Sequence, residues 1–194
     1  LKMLGYGSHS IVFLAESVAE NNRKIALKLF KQVPDINQVY DAFAETAGKL
    51  KRLDSPNILK LHDFGQCDGR LYVAMDYADG GDMARIFKKR TLSQLEAAKA
   101  GLDISMAIRD IAAEGIIHFD IKPENIMLSE GRCLLGDFGI VTTRTGTTVP
   151  IGREIWGTLA YMPPEFLGDE GMFVGKSDIY SLGVTLYHAL TGAN

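Results

Sequence analysis

The stretch His118-Phe119-Asp120-Ile121-Lys122-Pro123-Glu124-Asn125, followed by Asp137-Phe138-Gly139, constrains this chain more than any other feature. An Asp, a Lys two residues later and an Asn five residues later fit a short loop that gathers three polar groups at one point. Such a loop offers a carboxylate to orient a hydroxyl, a cation for a phosphoryl group and a carboxamide oxygen for Mg²⁺. The apolar run Cys133-Leu134-Leu135 then delivers Asp137, a second hard-oxygen ligand, ahead of a Gly that frees the backbone to turn. A lone Asp-Phe-Gly commonly does no more than end a strand. The two motifs in this order and at this separation are a specific signal.

Together they resemble the catalytic and metal-binding loops of the eukaryotic-type protein kinases. The resemblance runs from Leu4 to the end of the chain and implies an α+β, bilobal fold. A small, mostly antiparallel sheet lobe with one helix is expected over 1–78, and a larger, mainly helical lobe over 79–194, the two forming a single kinase domain. Kinases continue through further helices beyond a point such as Asn194, and the chain opens at Leu1 as if already inside a strand. A C-terminally truncated domain, with appended regions outside it, is therefore the expectation.

Several readings of the N-terminal third stand beside that resemblance. Leu4-Gly5-Tyr6-Gly7-Ser8-His9-Ser10-Ile11-Val12 reads as a glycine-rich strand-turn-strand, in which Gly5 and Gly7 let backbone amides approach phosphates and Val12 covers a flat base. Ser10 stands where the family pattern has its third glycine. Lys24-Ile25-Ala26-Leu27-Lys28-Leu29-Phe30 alternates as a strand should. By resemblance Lys28 holds the α- and β-phosphates of ATP, and Leu4, Ala26 and Met127 join Val12 around the nucleotide. From about Asp35 to Leu53 the pattern is helical, with Phe43, Ala47, Leu50 and Leu53 on one apolar side. The family pairs the strand lysine with a Glu on this helix. Glu45 is the candidate, although counting back from Ser55-Pro56-Asn57-Ile58 falls on Thr46, so a one-residue bulge near Gly48 is needed to bring Glu45 to Lys28.

Ile58-Leu59-Lys60-Leu61 and Leu71-Tyr72-Val73-Ala74-Met75 read as strands around an Asp68-Gly69 hairpin turn. The resemblance puts Met75 at the back of the adenine pocket, the backbone of Asp76 and Ala78 against the base, and Asp82 near the ribose. Ser93-Gln94-Leu95-Glu96 is a capping box that starts a helix with an apolar stripe Leu95, Ala98, Leu102, Met106 and Ile111, stopped by Gly115. His118 follows two isoleucines and reads as a satisfied buried histidine. Gly157-Thr158 through Pro163-Pro164-Glu165 resembles the substrate-docking segment, and Thr158 with Lys122 is typical of serine/threonine-directed members. By the same resemblance, Asp178 anchors the backbone of the catalytic loop, where by itself it would read as an acid at a helix N-terminus.

The activity so implied is transfer of the γ-phosphoryl of ATP, with Mg²⁺ held by Asn125 and Asp137, to a Ser or Thr hydroxyl of a protein substrate oriented by Asp120. Phe119 stands where many kinases carry Arg before that Asp. A nucleotide-binding pseudokinase or scaffold is the alternative from another class, and a small-molecule phosphotransferase would not need the docking segment. The 24 acidic residues against 21 Lys and Arg give a charge of −3, which supports no nucleic-acid partner. No apolar run approaches membrane-spanning length, and two isolated cysteines, Cys67 and Cys133, point to a reducing, cytoplasmic setting.

Overall fold

Strand alternation and one amphipathic helix build the first lobe. In the computed structural model, which describes residues 1–7, 10–18, 21–31, 36–138, 159–164 and 176–193, β1 (Lys2–Tyr6), β2 (Ser10–Ser17), β3 (Arg23–Phe30), β4 (Leu61–Cys67) and β5 (Arg70–Asp76) form one sheet. Its order is β1-β2-β3-β5-β4, and every pairing is antiparallel. β3 is central because Ala26, Lys28 and Phe30 all turn inward, each of them buried. The hairpin between β4 and β5 turns on Asp68 and Gly69, both at positive φ (48° and 70°), the conformation a two-residue hairpin requires.

Helix α1 (Ile36–Arg52) joins β3 to β4 and presents Phe43, Ala47 and Leu50 to the sheet, all buried. The Phe43 ring meets Phe30 and Phe64 edge-on, at centroid distances of 6.0 and 5.9 Å. The helix is regular throughout, with no bulge at Gly48.

Ile58 and Leu59 differ from expectation. They do not lengthen β4, because their backbone turns to the second lobe: Leu59 N–H donates to Leu135 O at 2.9 Å, and Leu135 N–H donates to Asn57 O at 2.8 Å. That lobe comprises α2 (Met83–Phe87), α3 (Gln94–Ala113), the hairpin β6 (Ile126–Ser129) and β7 (Arg132–Leu135), and α4 (Ser177–Thr191). The expected capping box is present at Ser93 and Glu96, and Gly115 takes φ 72° just past the helix end.

Of the apolar stripe expected on α3, only Ile111 is buried. Leu95 and Leu102 are exposed, whereas Ala97, Ala100, Ile104, Ala107, Ile108 and Ile111 are buried. The helix packs against β7 and α4 through a face rich in alanine, whose small side chains permit close approach. Where the lobes join, Gly80 N–H donates to Leu128 O at 3.0 Å. A Cβ on Gly80 would meet that oxygen at 2.5 Å, so only glycine fits the joint.

Candidate active site

The chain leaves α3 at Gly115 and buries Ile116, Ile117 and Ile121, which seats the polar residues between them. His118 is 2% exposed. Its Nε2 is 3.0 Å from Gly136 O, its Nδ1 accepts from Asp120 N–H at 3.3 Å, and its ring packs at a tilt against Phe138, with centroids 4.8 Å apart. Burial lowers its pKa, with Asp178 and Asp120 opposing that shift. A neutral, satisfied imidazole in an internal stack is what the two preceding isoleucines suggest. Phe119 adopts φ 63° and packs its half-buried ring against the core. Asp178, at the start of α4, accepts from the backbone N–H of both His118 and Phe119 at 2.8 Å.

Asp120, Lys122 and Asn125 converge as expected. The Asn125 amide donates to Asp120 O at 2.6 Å and to Asp120 Oδ2 at 2.9 Å. Lys122 Nζ lies 2.8 Å from the same Oδ2. Asp120 Oδ1 is buried and has no hydrogen-bond partner among the described residues. With both amide protons of Asn125 directed at Asp120, its carboxamide oxygen remains as an acceptor. Asn125 O also accepts from Gly136 N–H at 2.9 Å, which ties the 120–125 loop to the residue before Asp137.

Across the cleft, Val12, Lys28 and Val73 are cross-strand neighbours, as are Leu14, Ala26 and Met75. Alternation puts all six on one face of the sheet. Lys28 ends in an ion pair with Asp137. Burial pushes its ammonium down to about 8, with Asp120 opposing the shift and Lys122 adding to it. Behind the pair lies a cavity of about 30 Å³, walled by Phe43, Thr46, Ala47, Met75 and Phe138.

Glu45 does not reach Lys28, and this expectation is corrected. Its carboxylate is bound by Lys49 one turn on, at 2.9 Å, and its side chain is 56% exposed. Thr46, 4% exposed, takes the position on the wall of the cavity that Lys28 also lines. In a regular helix adjacent residues point about 100° apart, so without a bulge only one of the two can face the sheet.

The remaining nucleotide candidates are distributed over both lobes and the segment that joins them. Leu4, Gly5 and Gly7 lie on or next to β1, whose pairing with β2 shifts register between Met3 and Gly5. Asp76 ends β5, and Ala78 opens the joint between the lobes. Asp82 and Met127 meet in an antiparallel backbone bridge, which ties the start of α2 to β6. The Asp82 carboxylate also caps α2, accepting from Arg85 N–H at 2.9 Å. Thr158, Glu165, Gly139 and the threonine-rich run 142–150 lie outside the described residues.

One cluster escaped the sequence reading. Asp76 is held on two sides, by Arg23 of β3 and by His62 of β4 at 2.6 Å. No local pattern links residues so far apart in the chain.

The chain matches the protein kinase domain family over residues 1–194. It is 36% identical to serine/threonine-protein kinase PknJ of Mycobacterium bovis over 98% of its length, and 33% identical to serine/threonine-protein kinase PrkC of Bacillus subtilis over 99%. Serine/threonine-protein kinase PknE of M. bovis is 35% identical over 99%. The chain spans about a third of the length of these relatives: 33% of PknJ, 30% of PrkC and 34% of PknE.

Proposed function

The chain belongs to the protein kinase domain family, and on that premise we propose that it transfers the γ-phosphoryl of ATP to a serine or threonine hydroxyl of a protein substrate. One domain over 1–194, with lobes meeting near Ala78, is the unit that does so. The observation that carries the reading is the loading of Asp120. Oδ2 is occupied by Asn125 and Lys122, which leaves Oδ1, without a partner among the described residues, to receive the proton of a substrate hydroxyl. Lys122, 2.8 Å from Asp120, is placed to offset charge on the phosphoryl in flight.

The residues present fit Mg²⁺. Among the described residues no group of three or more His, Cys, Asp or Glu could hold a metal. The Asn125 carboxamide oxygen and the partly exposed Asp137 carboxylate suit an ion that takes one or two protein oxygens and completes its shell from phosphates and water. When bound, that ion neutralises charge on the phosphates and orients their oxygens. Lys28 positions the nucleotide, with Leu4, Gly5, Gly7, Val12, Ala26, Met75, Asp76, Ala78, Asp82 and Met127 around it. Thr158 docks the substrate. Most of the rate enhancement is then positioning and electrostatics.

The relatives' names support serine/threonine specificity. Free Cys67 and Cys133 support a reducing, cytoplasmic setting. No helix among the described residues is long and apolar enough to cross a membrane.

A nucleotide-binding pseudokinase is favoured by one observation: α1 presents Thr46, not a carboxylate, to the cavity that Lys28 lines. Transfer of labelled phosphate from ATP to a generic protein substrate, compared with Asp120→Asn, separates the two. Turnover abolished by the substitution supports the kinase. Nucleotide binding with no turnover in either protein supports the pseudokinase.

A further inference from the structure

We propose that Thr46 is a positioning residue that leaves Lys28 and Asp137 as each other's counter-ions, so that nucleotide and Mg²⁺ bind as strongly coupled ligands. The proposal rests on the kinase reading and goes beyond it. Three observations carry it. The Lys28 side chain is 8% exposed, and among the described residues its ion pair is with Asp137 of the other lobe. Helix α1 is regular, so Thr46 faces the cavity while Glu45 is turned out to Lys49. The other helix residues on the cavity wall are Phe43, Ala47 and Leu50, so α1 supplies no charge there.

The consequence follows from competition for two groups. Phosphate needs Lys28, and the metal needs Asp137, yet each is engaged with the other before ligands arrive. A phosphate that draws Lys28 away frees Asp137 for the ion, and an ion that takes Asp137 frees Lys28 for phosphate. Each ligand thereby relieves a cost borne by the other, and linkage makes the effect reciprocal. A carboxylate at position 46 would give Lys28 a permanent partner from its own lobe and leave Asp137 open. The coupling would then shrink. Glu45, already paired on the outside of the helix, has no part in it.

The test is calorimetric binding of ADP in excess EDTA and in excess Mg²⁺, for wild type, Thr46→Glu, Thr46→Gln and Glu45→Ala. The readout is the ratio of the two dissociation constants, in which the affinity of Mg²⁺ for free ADP is common to all four proteins and cancels in their comparison. The wild-type ratio should exceed that of Thr46→Glu by about tenfold, within the usual range of coupling between two ligands. Thr46→Gln, equal in size but uncharged, should keep the wild-type ratio within about threefold, and Glu45→Ala should match wild type. If Thr46→Glu gives no cooperative melt, Thr46→Asp carries the charge in a smaller side chain and is read the same way. Equal ratios in wild type and the folded acidic variant overturn the proposal, as does a tenfold change in Glu45→Ala. No ADP binding by wild type in either condition overturns the kinase reading and this inference with it. ADP binding with equal ratios overturns the inference alone.

Discussion

Asp178 and His118 are 60 residues apart in sequence, yet the His118 backbone N–H donates to the Asp178 carboxylate at 2.8 Å. The adjoining Phe119 N–H donates to the other oxygen at the same distance. Asp178 is 2% exposed, so two backbone groups that water cannot reach are satisfied by one buried charge from α4. Phe119, at φ 63°, is held in the left-handed conformation by this clamp. The orientation of Asp120, the next residue, follows from it.

Asp178→Asn should therefore weaken both fold and activity. The amide keeps one acceptor and turns an NH₂ toward a backbone N–H. A hydrogen bond to a charged group is worth about 1.5–3 kcal/mol, and a loss of roughly that size is expected in urea unfolding. The turnover number should fall at least about tenfold, the equivalent of 1.4 kcal/mol of barrier. Unfolding curves that superimpose on wild type would contradict the clamp.

The two cysteines should differ in reactivity. Burial raises the Cys133 thiol to about 11, with Asp103 adding to the shift, and Cys67 is exposed. The thiolate is the reacting species, so little of it is present at Cys133 near pH 8. Iodoacetamide treatment at that pH, followed by mass spectrometry, should show one adduct on the native protein, at Cys67. A second, at Cys133, should follow only on denaturation. Comparable labelling rates at both sites before unfolding would count against the burial of β7.

His118 should make the fold acid-sensitive. Its pKa is lowered in the folded state by burial, so below the ordinary value of about 6.5 the unfolded chain binds a proton that the native one does not. Stability is then full above that pH and declines as pH falls through it, by at most about 1.4 kcal/mol per unit for one proton. Urea melts at pH 7.5, 6.5 and 5.5 should fall more steeply for wild type than for His118→Phe, whatever the variant's absolute stability. The two proteins differ only at this position, so contributions from the rest of the chain are common to both and cancel in the comparison. Parallel slopes would rule out a neutral, buried His118.

Much of this site is legible in the order of residues because short-range chemistry dictates it. Ser93 and Glu96 are three apart and cap one helix end, and Asp120, Lys122 and Asn125 fall within one turn of chain. Glu45 shows where such reading fails. Chemistry favours a carboxylate beside Lys28, but spacing points to Thr46, and the unbroken hydrogen bonding of α1 lets spacing prevail. The α3 stripe failed for a different reason: alanine is too weakly apolar to mark a face by itself, yet its size is what β7 and α4 need. The clasp of Asp76 by Arg23 and His62 spans three strands, and only strand order brings it together.

Phe119 bears on regulation. Kinases controlled through the segment after the metal-binding Asp commonly pair a phosphate there with an Arg at this position, and a guanidinium would make strong charge-assisted bonds to it. Here a ring packs against the core instead, on a backbone pinned by Asp178. A phosphate on Thr142, Thr143, Thr145, Thr147 or Thr148 would lack that partner, and exposed pairing with a basic residue elsewhere on the surface would contribute little. The active arrangement of the loop should thus depend weakly on phosphate. Replacing all five threonines by alanine, in the protein that carries this domain, should change the turnover number only about two- to fivefold, or less than about 1 kcal/mol of barrier. Steady-state kinetics on the dephosphorylated wild type and the variant make the measurement. A hundredfold loss, about 2.7 kcal/mol of barrier, that phosphorylation restores in wild type alone would defeat the argument.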